Sequence, residues 1–172
     1  MPDGGAAAMT RFKPGPDSAR AFRDALGAFA TGVTVVTTRT EHGPLGITAN
    51  SFSSVSIDPP LVLWSPAKAS RRYEPFAAAK HFAIHVLGSD QADICEAFVR
   101  DGTAFSGFET RNLTAGIPLI ENCLARFECA LFARHDAGDH TLIVGEVIAA
   151  EARPGEPLVF ARGRYGRFTG AD

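Results

Sequence analysis

The hydrophobic positions of the chain follow two different periods. Phe22, Ala25, Leu26 and Phe29 fall at i, i+3, i+4 and i+7, the spacing of one helix face. Asp17 or Ser18 is placed to cap that helix and Gly32 to end it. The period then changes. Val33-Thr34-Val35-Val36-Thr37-Thr38 is β-branched throughout and reads as a strand. Glu41-His42-Gly43-Pro44 is a turn, and residues 45–52 form the second arm of a hairpin, with residues 53–57 extended beyond it. Asp58-Pro59-Pro60 interrupts the pattern, because neither proline can donate to a ladder. Residues 61–64 are apolar at every position and predict a short strand buried on both faces.

Ser65-Pro66-Ala67-Lys68-Ala69-Ser70 is a polar loop, and Ser70 can cap a helix through Tyr73, Phe76 and Ala77 that Pro75 disturbs. Residues 82–87 predict a strand, and residues 90–100 a short helix with Ile94, Ala97 and Phe98 on one side. Residues 101–116, which contain Gly102, Gly107 and Gly116, predict an irregular loop. Residues 124–134 alternate, with Phe127, Cys129 and Leu131 on one face and Arg126, Glu128 and Arg134 on the other. A turn at Asp136-Ala137-Gly138-Asp139 leads to a strand over residues 141–150, and residues 158–160 and 165–168 complete the sheet. Seven or eight strands, two or three helices and consecutive hairpins without βαβ alternation predict a mainly-β fold, a closed antiparallel barrel with peripheral helices.

Length and composition narrow this picture. A chain of 172 residues holds one domain, expected at residues 17–170 behind a Gly/Ala-rich disordered tail over residues 1–16. Seventeen basic against nineteen acidic residues argue against nucleic acid as a partner. No apolar run approaches the roughly 20 residues that span a bilayer, and no signal-peptide pattern opens the chain, so no membrane association is expected. Cys95, Cys123 and Cys129 are odd in number and lack C-x-x-C spacing, which predicts reduced thiols and a cytoplasmic protein with no metal site. Thirteen Phe against two Tyr and one Trp suggest a dry core.

Four segments could carry chemistry. Thr48-Ala49-Asn50-Ser51-Phe52-Ser53-Ser54-Val55-Ser56 concentrates short hydroxyl and amide side chains after a strand, which suits a planar polar ligand or equally a sheet edge bonded to itself. Ser65, Lys68, Ser70, Arg71 and Arg72 place hydroxyls and cations around one loop, a monophosphate cradle or a solvated basic helix start. Gly138-Asp139-His140 puts a histidine where a turn enters a strand. Arg162-Gly163-Arg164-Tyr165-Gly166-Arg167 reads as a charged edge strand. His85, inside an apolar strand, reads from pattern alone as a core histidine. There is no P-loop, G-x-G-x-x-G, H-E-x-x-H or G-x-S-x-G motif.

In order along residues 18–169, these segments resemble the short-chain flavin reductases of two-component monooxygenases, which have the FMN-binding split-barrel fold. The matching pieces are Ala30 to Thr37, Gly46 to Ser56, Asp58-Pro59-Pro60-Leu61-Val62, Phe82 to Leu87, Gly138-Asp139-His140 and Tyr165-Gly166-Arg167-Phe168. The resemblance implies an NAD(P)H:flavin oxidoreductase that transfers a hydride from NADH or NADPH to FMN or FAD. It would supply reduced, diffusible flavin to a partner monooxygenase and work as a homodimer. It implies that Thr31, Gly32, Val33, Thr34 and Val35, with Thr48, Ala49, Asn50 and Ser51, lie along the flavin ring and ribityl chain. Ser65, Lys68 and Ser70 would hold its phosphate. His140 would be the catalytic histidine near the nicotinamide, and Tyr165 and Arg167 would close the site. His85 departs from the asparagine common at that position in the family and would sit at the flavin edge. Two other readings remain open on the same barrel: a pyridoxamine-phosphate-oxidase-like enzyme and a non-catalytic flavin-binding protein.

Overall fold

The structure, a computed structural model, describes residues 8–112 and 116–170. Residues 1–7 of the expected tail and residues 113–115 of the expected long loop lie outside the described residues. Residues 8–15 form no element and are exposed.

The β-branched run forms β2 (Thr34–Thr40), preceded by the two-residue β1 (Thr31–Gly32) and followed by β3 (Gly43–Ala49), β4 (Ser53–Ser56) and β5 (Leu61–Trp64). Then come β6 (His81–Val86), β7 (Thr110–Asn112) and β8 (Pro118–Ile120). A long hairpin, β9 (Ala125–Ala137) and β10 (His140–Ala152), precedes β11 (Leu158–Ala161) and β12 (Arg164–Arg167). Helices are α1 (Ala19–Leu26), α2 (Tyr73–Ala78) and α3 (Ala92–Arg100). The strand count exceeds the sequence expectation because β1, β7 and β8 are two- or three-residue pieces with no periodicity to read.

Seven strands form one antiparallel sheet in the order β3-β2-β6-β9-β10-β5-β4. Its outer strands, β3 and β4, are joined by Asn50, Ser51 and Phe52 alone. A flat seven-stranded sheet would hold its edges roughly 29 Å apart at about 4.8 Å per strand. Four residue steps of chain reach at most about 15 Å. The sheet must therefore curl on itself. The curl stops short of closure, since β3 and β4 do not pair. The expected closed barrel is thus a split one, with a seam at Asn50.

Curling divides the apolar residues into two cores. Val36, Val62, Trp64, Phe76, Phe82, Ile84, Cys129 and Ile143 fill the inside, where Phe76 of α2 meets Trp64 edge-on at 5.2 Å. Val33, Val35, Ile94, Cys95, Phe98 and Phe105 pack outside, between the sheet and α3. Consecutive residues of β2 thus serve opposite cores, which explains its unbroken burial from Thr34 to Thr38. Its threonines are satisfied by backbone carbonyls: Thr34 donates to Ala49 (2.7 Å), Thr37 to Pro118 (2.6 Å) and Thr38 to His81 (2.9 Å). Gly145 is required where β10 crosses Phe82, because a Cβ there would lie 2.6 Å from the ring.

Three expectations change. The first helix ends at Leu26 with Gly27 as its C-cap, and Phe22, Leu26 and Phe29 are exposed. The face of β9 expected to meet solvent buries Arg126 and Glu128, beside β8, whose Leu119 packs on Ala83 of β6. There Arg126 pairs with Glu151 and donates to the Ile120 carbonyl. The 136–139 turn is a two-residue hairpin, Gly138 (φ 70) and Asp139.

His85 is fully buried. Its Nδ1–H donates to the Val35 carbonyl (2.9 Å) and its Nε2 accepts from the Ile120 amide (3.1 Å), so the ring is neutral and docks β8 onto the sheet. Burial pulls its pKa down to about 4. The unfolded chain takes up this proton near 6.5, so stability falls with acidity between 6.5 and about 4, by roughly 1.4 kcal/mol per pH unit. Replacement His85→Asn is expected to flatten the fall in melting temperature between pH 7 and pH 5. An unchanged slope would remove His85 from the acid response.

Candidate functional site

The seam opens into a recess of about 180 Å³. Thr48, Ala49 and Asn50 from the end of β3 form one wall, with Val33 beside them, and Phe160 and Tyr165 from β11 and β12 face them. Val99 of α3 closes a third side. The opposite wall stands there because β1 pairs with β11 in the register Thr31↔Phe160 and Gly32↔Val159. Arg162 (φ 50) and Gly163 (φ 75) then turn the chain tightly into β12. Phe160 and Tyr165 rings lie 5.2 Å apart. The walls are mostly apolar, and the amide of Asn50 is exposed.

Behind the recess, Cys95 of α3 joins its two walls. The Thr48 hydroxyl donates to the Cys95 carbonyl (3.0 Å), and the buried Cys95 thiol lies beside Tyr165. Burial and the neighbouring Cys95 thiol push the Tyr165 phenol up to about 12, so it stays protonated. Burial likewise raises the Cys95 thiol. α3 approaches β3 closely because position 46 is glycine: a Cβ there would sit 2.5 Å from the Phe98 ring.

A second recess of about 280 Å³ shares Thr48 and Val99 with the first and adds Ile47, Ser70, Arg71, Arg72 and Phe98. Arg72 is committed to the fold. Its guanidinium donates to the carbonyls of Phe98, Val99 (3.3 Å) and Gly46 (3.5 Å), capping the C-terminal end of α3, where unpaired carbonyls carry partial negative charge. Arg71 is exposed and makes no ion pair or hydrogen bond among the described residues. The two recesses form one cleft with an apolar end and a cationic end.

Of the residues singled out in the sequence, Val33, Thr48, Ala49, Asn50 and Tyr165 meet in the first recess and Ser70 in the second. Ser51 and Ser65 are bonded to each other, the Ser65 amide donating to Ser51 Oγ at 2.9 Å, which fixes the start of the 65–70 loop beside Asn50. Thr31 and Gly32 form β1, and the Thr31 hydroxyl is buried without a partner among the described residues. Arg167 is exposed on β12, the edge of its sheet.

Four placements differ from the expectation. Thr34, Val35 and His85 are buried in the wall, with the polar groups of Thr34 and His85 bonded to backbone, so none offers a side chain to the cleft. Lys68 lines neither recess. Its ammonium is held by Asp136 and the Gly138 carbonyl (2.6 Å), and its amide donates to Asp139 (2.8 Å). Arg71 and Arg72 occupy the place expected for it. His140 sits at the same hairpin tip, bridged to Ala67, with Nδ1 2.7 Å from Asp139 Oδ1. That bond holds the Asp139 carboxyl below its usual range. Val99 and Phe160 were not foreseen. Val99 lies off the apolar face of α3 and reads as a solvent position, and Phe160 reads as one apolar residue in a strand.

The family model for the flavin reductase like domain matches residues 26–169. An FMN reductase (NADH), SmoA, of Agrobacterium fabrum is 57% identical over 158 residues, 92% of this chain and 91% of that protein. The reductase subunit of a flavin-dependent monooxygenase, HsaB, of Mycobacterium tuberculosis is 38% identical, over 85% of this chain and 80% of its own. Among solved structures, an NADH:FAD oxidoreductase of Streptomyces globisporus C-1027, determined with NAD and FAD fragments, superposes with a TM-score of 0.84 at 36% identity, over 92% of this chain and 98% of that one.

All three thiols are buried, and burial raises each of them. The native chain is expected to react with no thiol reagent at pH 8, and all three cysteines after denaturation. Removing the Tyr165 ring (Tyr165→Ala) is expected to expose one thiol, that of Cys95. Reaction of the unmodified native chain would contradict the seal over α3.

Proposed function

The chain belongs to the flavin reductase family, and from that premise we propose that the seam cleft binds flavin and that the protein is an NAD(P)H-dependent flavin reductase supplying reduced flavin to a partner monooxygenase. The cleft carries this reading. Its apolar end, between Val33, Val99 and Phe160, suits a flat ring, and its polar end offers Ser70 and Arg71 to a phosphate. The exposed Asn50 amide and the unpartnered Thr31 hydroxyl add polar groups that the fold does not use. The residues present therefore fit FMN or the flavin half of FAD.

Flavin, when bound, supplies the acceptor for a hydride from NADH or NADPH. The chain's part is to bind and orient. The apolar walls exclude water from one face, and Tyr165, kept protonated, takes no proton. Ser70 and the free Arg71 hold the phosphate in place of Lys68. His140 contacts the nicotinamide from its half-exposed hairpin tip, with Asp139 fixing Nδ1 and leaving Nε2 free. The two recesses form one cleft, and both cofactors share it.

The functional unit is a homodimer. Every residue of α1 is exposed or half-exposed although the helix is amphipathic, and Leu26 and Phe29 are 57% and 78% exposed. Such an apolar face calls for a cover, and a second copy is the partner always at hand. A cytoplasmic location is supported by the three unpaired thiols. Among the described residues no helix is long and apolar enough to cross a membrane.

Mixing the protein with FMN or FAD and either nicotinamide is expected to oxidise the nicotinamide faster than the enzyme-free control; no acceleration with NADH or NADPH sinks the proposal. Turnover of pyridoxine phosphate, or tightly held flavin without turnover, would favour the other two readings. Ser70→Ala with Arg71→Ala is expected to weaken FMN about tenfold relative to riboflavin, with Lys68→Ala nearly silent. His140→Ala should raise KM for the nicotinamide more than Kd for flavin. In solution the chain is expected at twice its mass, and Leu26→Glu with Phe29→Glu should give monomers; an unmodified monomer would refute the dimer.

A further inference from the structure

His140 stands on a part of the sheet that has little support of its own. β6 pairs with β9 only between Val86↔Ala125 and His81↔Ala130, and β5 pairs with β10 only between Trp64↔Ile143 and Leu61↔Glu146. Residues 135–142 therefore find their ladder partners in one another and project beyond the neighbouring strands. A two-stranded hairpin on its own is marginally stable in water. The turn residues Gly138 and Asp139 are exposed, so packing does not fix the tip either.

The 65–70 loop supplies the missing support. The Thr141 amide donates to the Pro66 carbonyl (3.2 Å), Ala67 bridges His140, and the Lys68 amide donates to the Asp139 carbonyl (2.8 Å). A loop of almost any sequence could make these backbone bonds. The Lys68 side chain adds what only this residue gives. Two of its three donors are spent on the hairpin, one on the Asp136 carboxylate and one on the Gly138 carbonyl (2.6 Å). An ion pair with a carboxylate as exposed as Asp136 (80%) holds little by itself. The second acceptor and the partial cover of Lys68, 34% exposed, turn the pair into a clamp. The loop is anchored in turn, because the Ser65 amide is held by Ser51. Tyr73 of α2 shares a hydroxyl hydrogen bond with Thr141 (2.7 Å), and Arg134 donates to the Ala79 carbonyl (2.8 Å).

We infer that Lys68 is a positioning residue for the nicotinamide: by clamping the hairpin tip to the 65–70 loop, it sets where His140 presents Nε2. The inference rests on the reading of His140 as the nicotinamide contact. Two restraints act in series. Asp139 fixes the imidazole relative to the tip, and Lys68 fixes the tip relative to the loop. Without the second restraint the tip flexes about the root of the hairpin, and a contact displaced by about 1 Å loses much of its effect on orientation.

The test is steady-state kinetics with FMN and with NADH or NADPH, beside flavin titrations, on Lys68→Ala, Asp136→Ala, Lys68→Arg, His140→Ala and Lys68→Ala with His140→Ala. Lys68→Ala and Asp136→Ala are each expected to raise KM for the nicotinamide about fivefold. Saturated kcat and the Kd values for FMN and riboflavin are expected to stay within about twofold. Lys68→Arg, which keeps the charge and the donors, is expected to recover most of the loss. In the His140→Ala background Lys68→Ala is expected to add less than about twofold, because no imidazole remains to be placed. An unchanged KM in Lys68→Ala, or the same fivefold rise with and without His140, overturns the positioning role. So does a loss of FMN relative to riboflavin in Lys68→Ala alone, which returns Lys68 to the phosphate. A purely structural role lowers melting temperature and the active fraction and leaves KM unmoved, which also overturns it. Should Lys68→Ala fail to fold, Asp136→Ala, at an exposed position, carries the same comparison. If His140→Ala itself leaves KM unmoved, the reading of His140 falls, and the role of Lys68 with it.

Discussion

The structure depends on a short tether. Asn50, Ser51 and Phe52 hold the two outer strands of a seven-stranded sheet within a few residues of each other. Strand spacing forbids a flat sheet under that constraint. Curling creates an inside, filled by Trp64, Phe76 and Phe82, and an outside that must be covered by α3 and the small β1-β11-β12 sheet. The tether also leaves the seam unpaired. The cleft is the space beside that seam, between the end of β3 and the small sheet, so the fold and the site follow from one connection.

The hydroxyl-rich segments show how a local pattern can mislead about roles. Short polar side chains beside a strand suit a planar ligand, which makes Thr48 and Ser51 candidate contacts, and the family resemblance adds Thr34. In the structure each spends its hydroxyl on backbone: on Ala49, Cys95 and Ser65. Their effect on the site is indirect. They hold the walls that Val33, Ala49 and Asn50 present. A hydroxyl next to a site is as useful for closing a backbone account as for meeting a ligand, and sequence does not distinguish the two uses.

Much of the rest was legible. The β-branched run, the proline break and the long terminal hairpin are local signals, and each became the expected element. The ordered motifs pointed to the family to which the chain belongs. What was illegible required long-range contacts. The polar face of β9 reads as solvated because alternation cannot reveal which distant groups meet it. Arg126 is buried there only because Glu151 and the Ile120 carbonyl meet it from elsewhere in the chain. Lys68 looked like a phosphate ligand until the hairpin tip, some 70 residues away, supplied Asp136. Conversely, the amphipathic pattern of α1 is legible, but its apolar face stays largely uncovered among the described residues.

The adjacent pair Arg71 and Arg72 shows how function can be read from what the fold leaves over. Sequence treats them alike. Arg72 is consumed by two carbonyls at the end of α3 and that of Gly46 on β3, an interaction that also seats Phe98 against Gly46. Because the backbone of Arg72 is thereby fixed, its neighbour is held at the mouth of the second recess with its charge unspent. An exposed arginine on a loose loop would lose entropy on binding an anion. One whose backbone is anchored by the next residue loses less, and its charge is placed before the ligand arrives. The near-neutral charge of the whole chain is therefore no obstacle to binding phosphates. What matters is which cations the fold has not already paired, and at this cleft the structural role of Arg72 is what leaves Arg71 available.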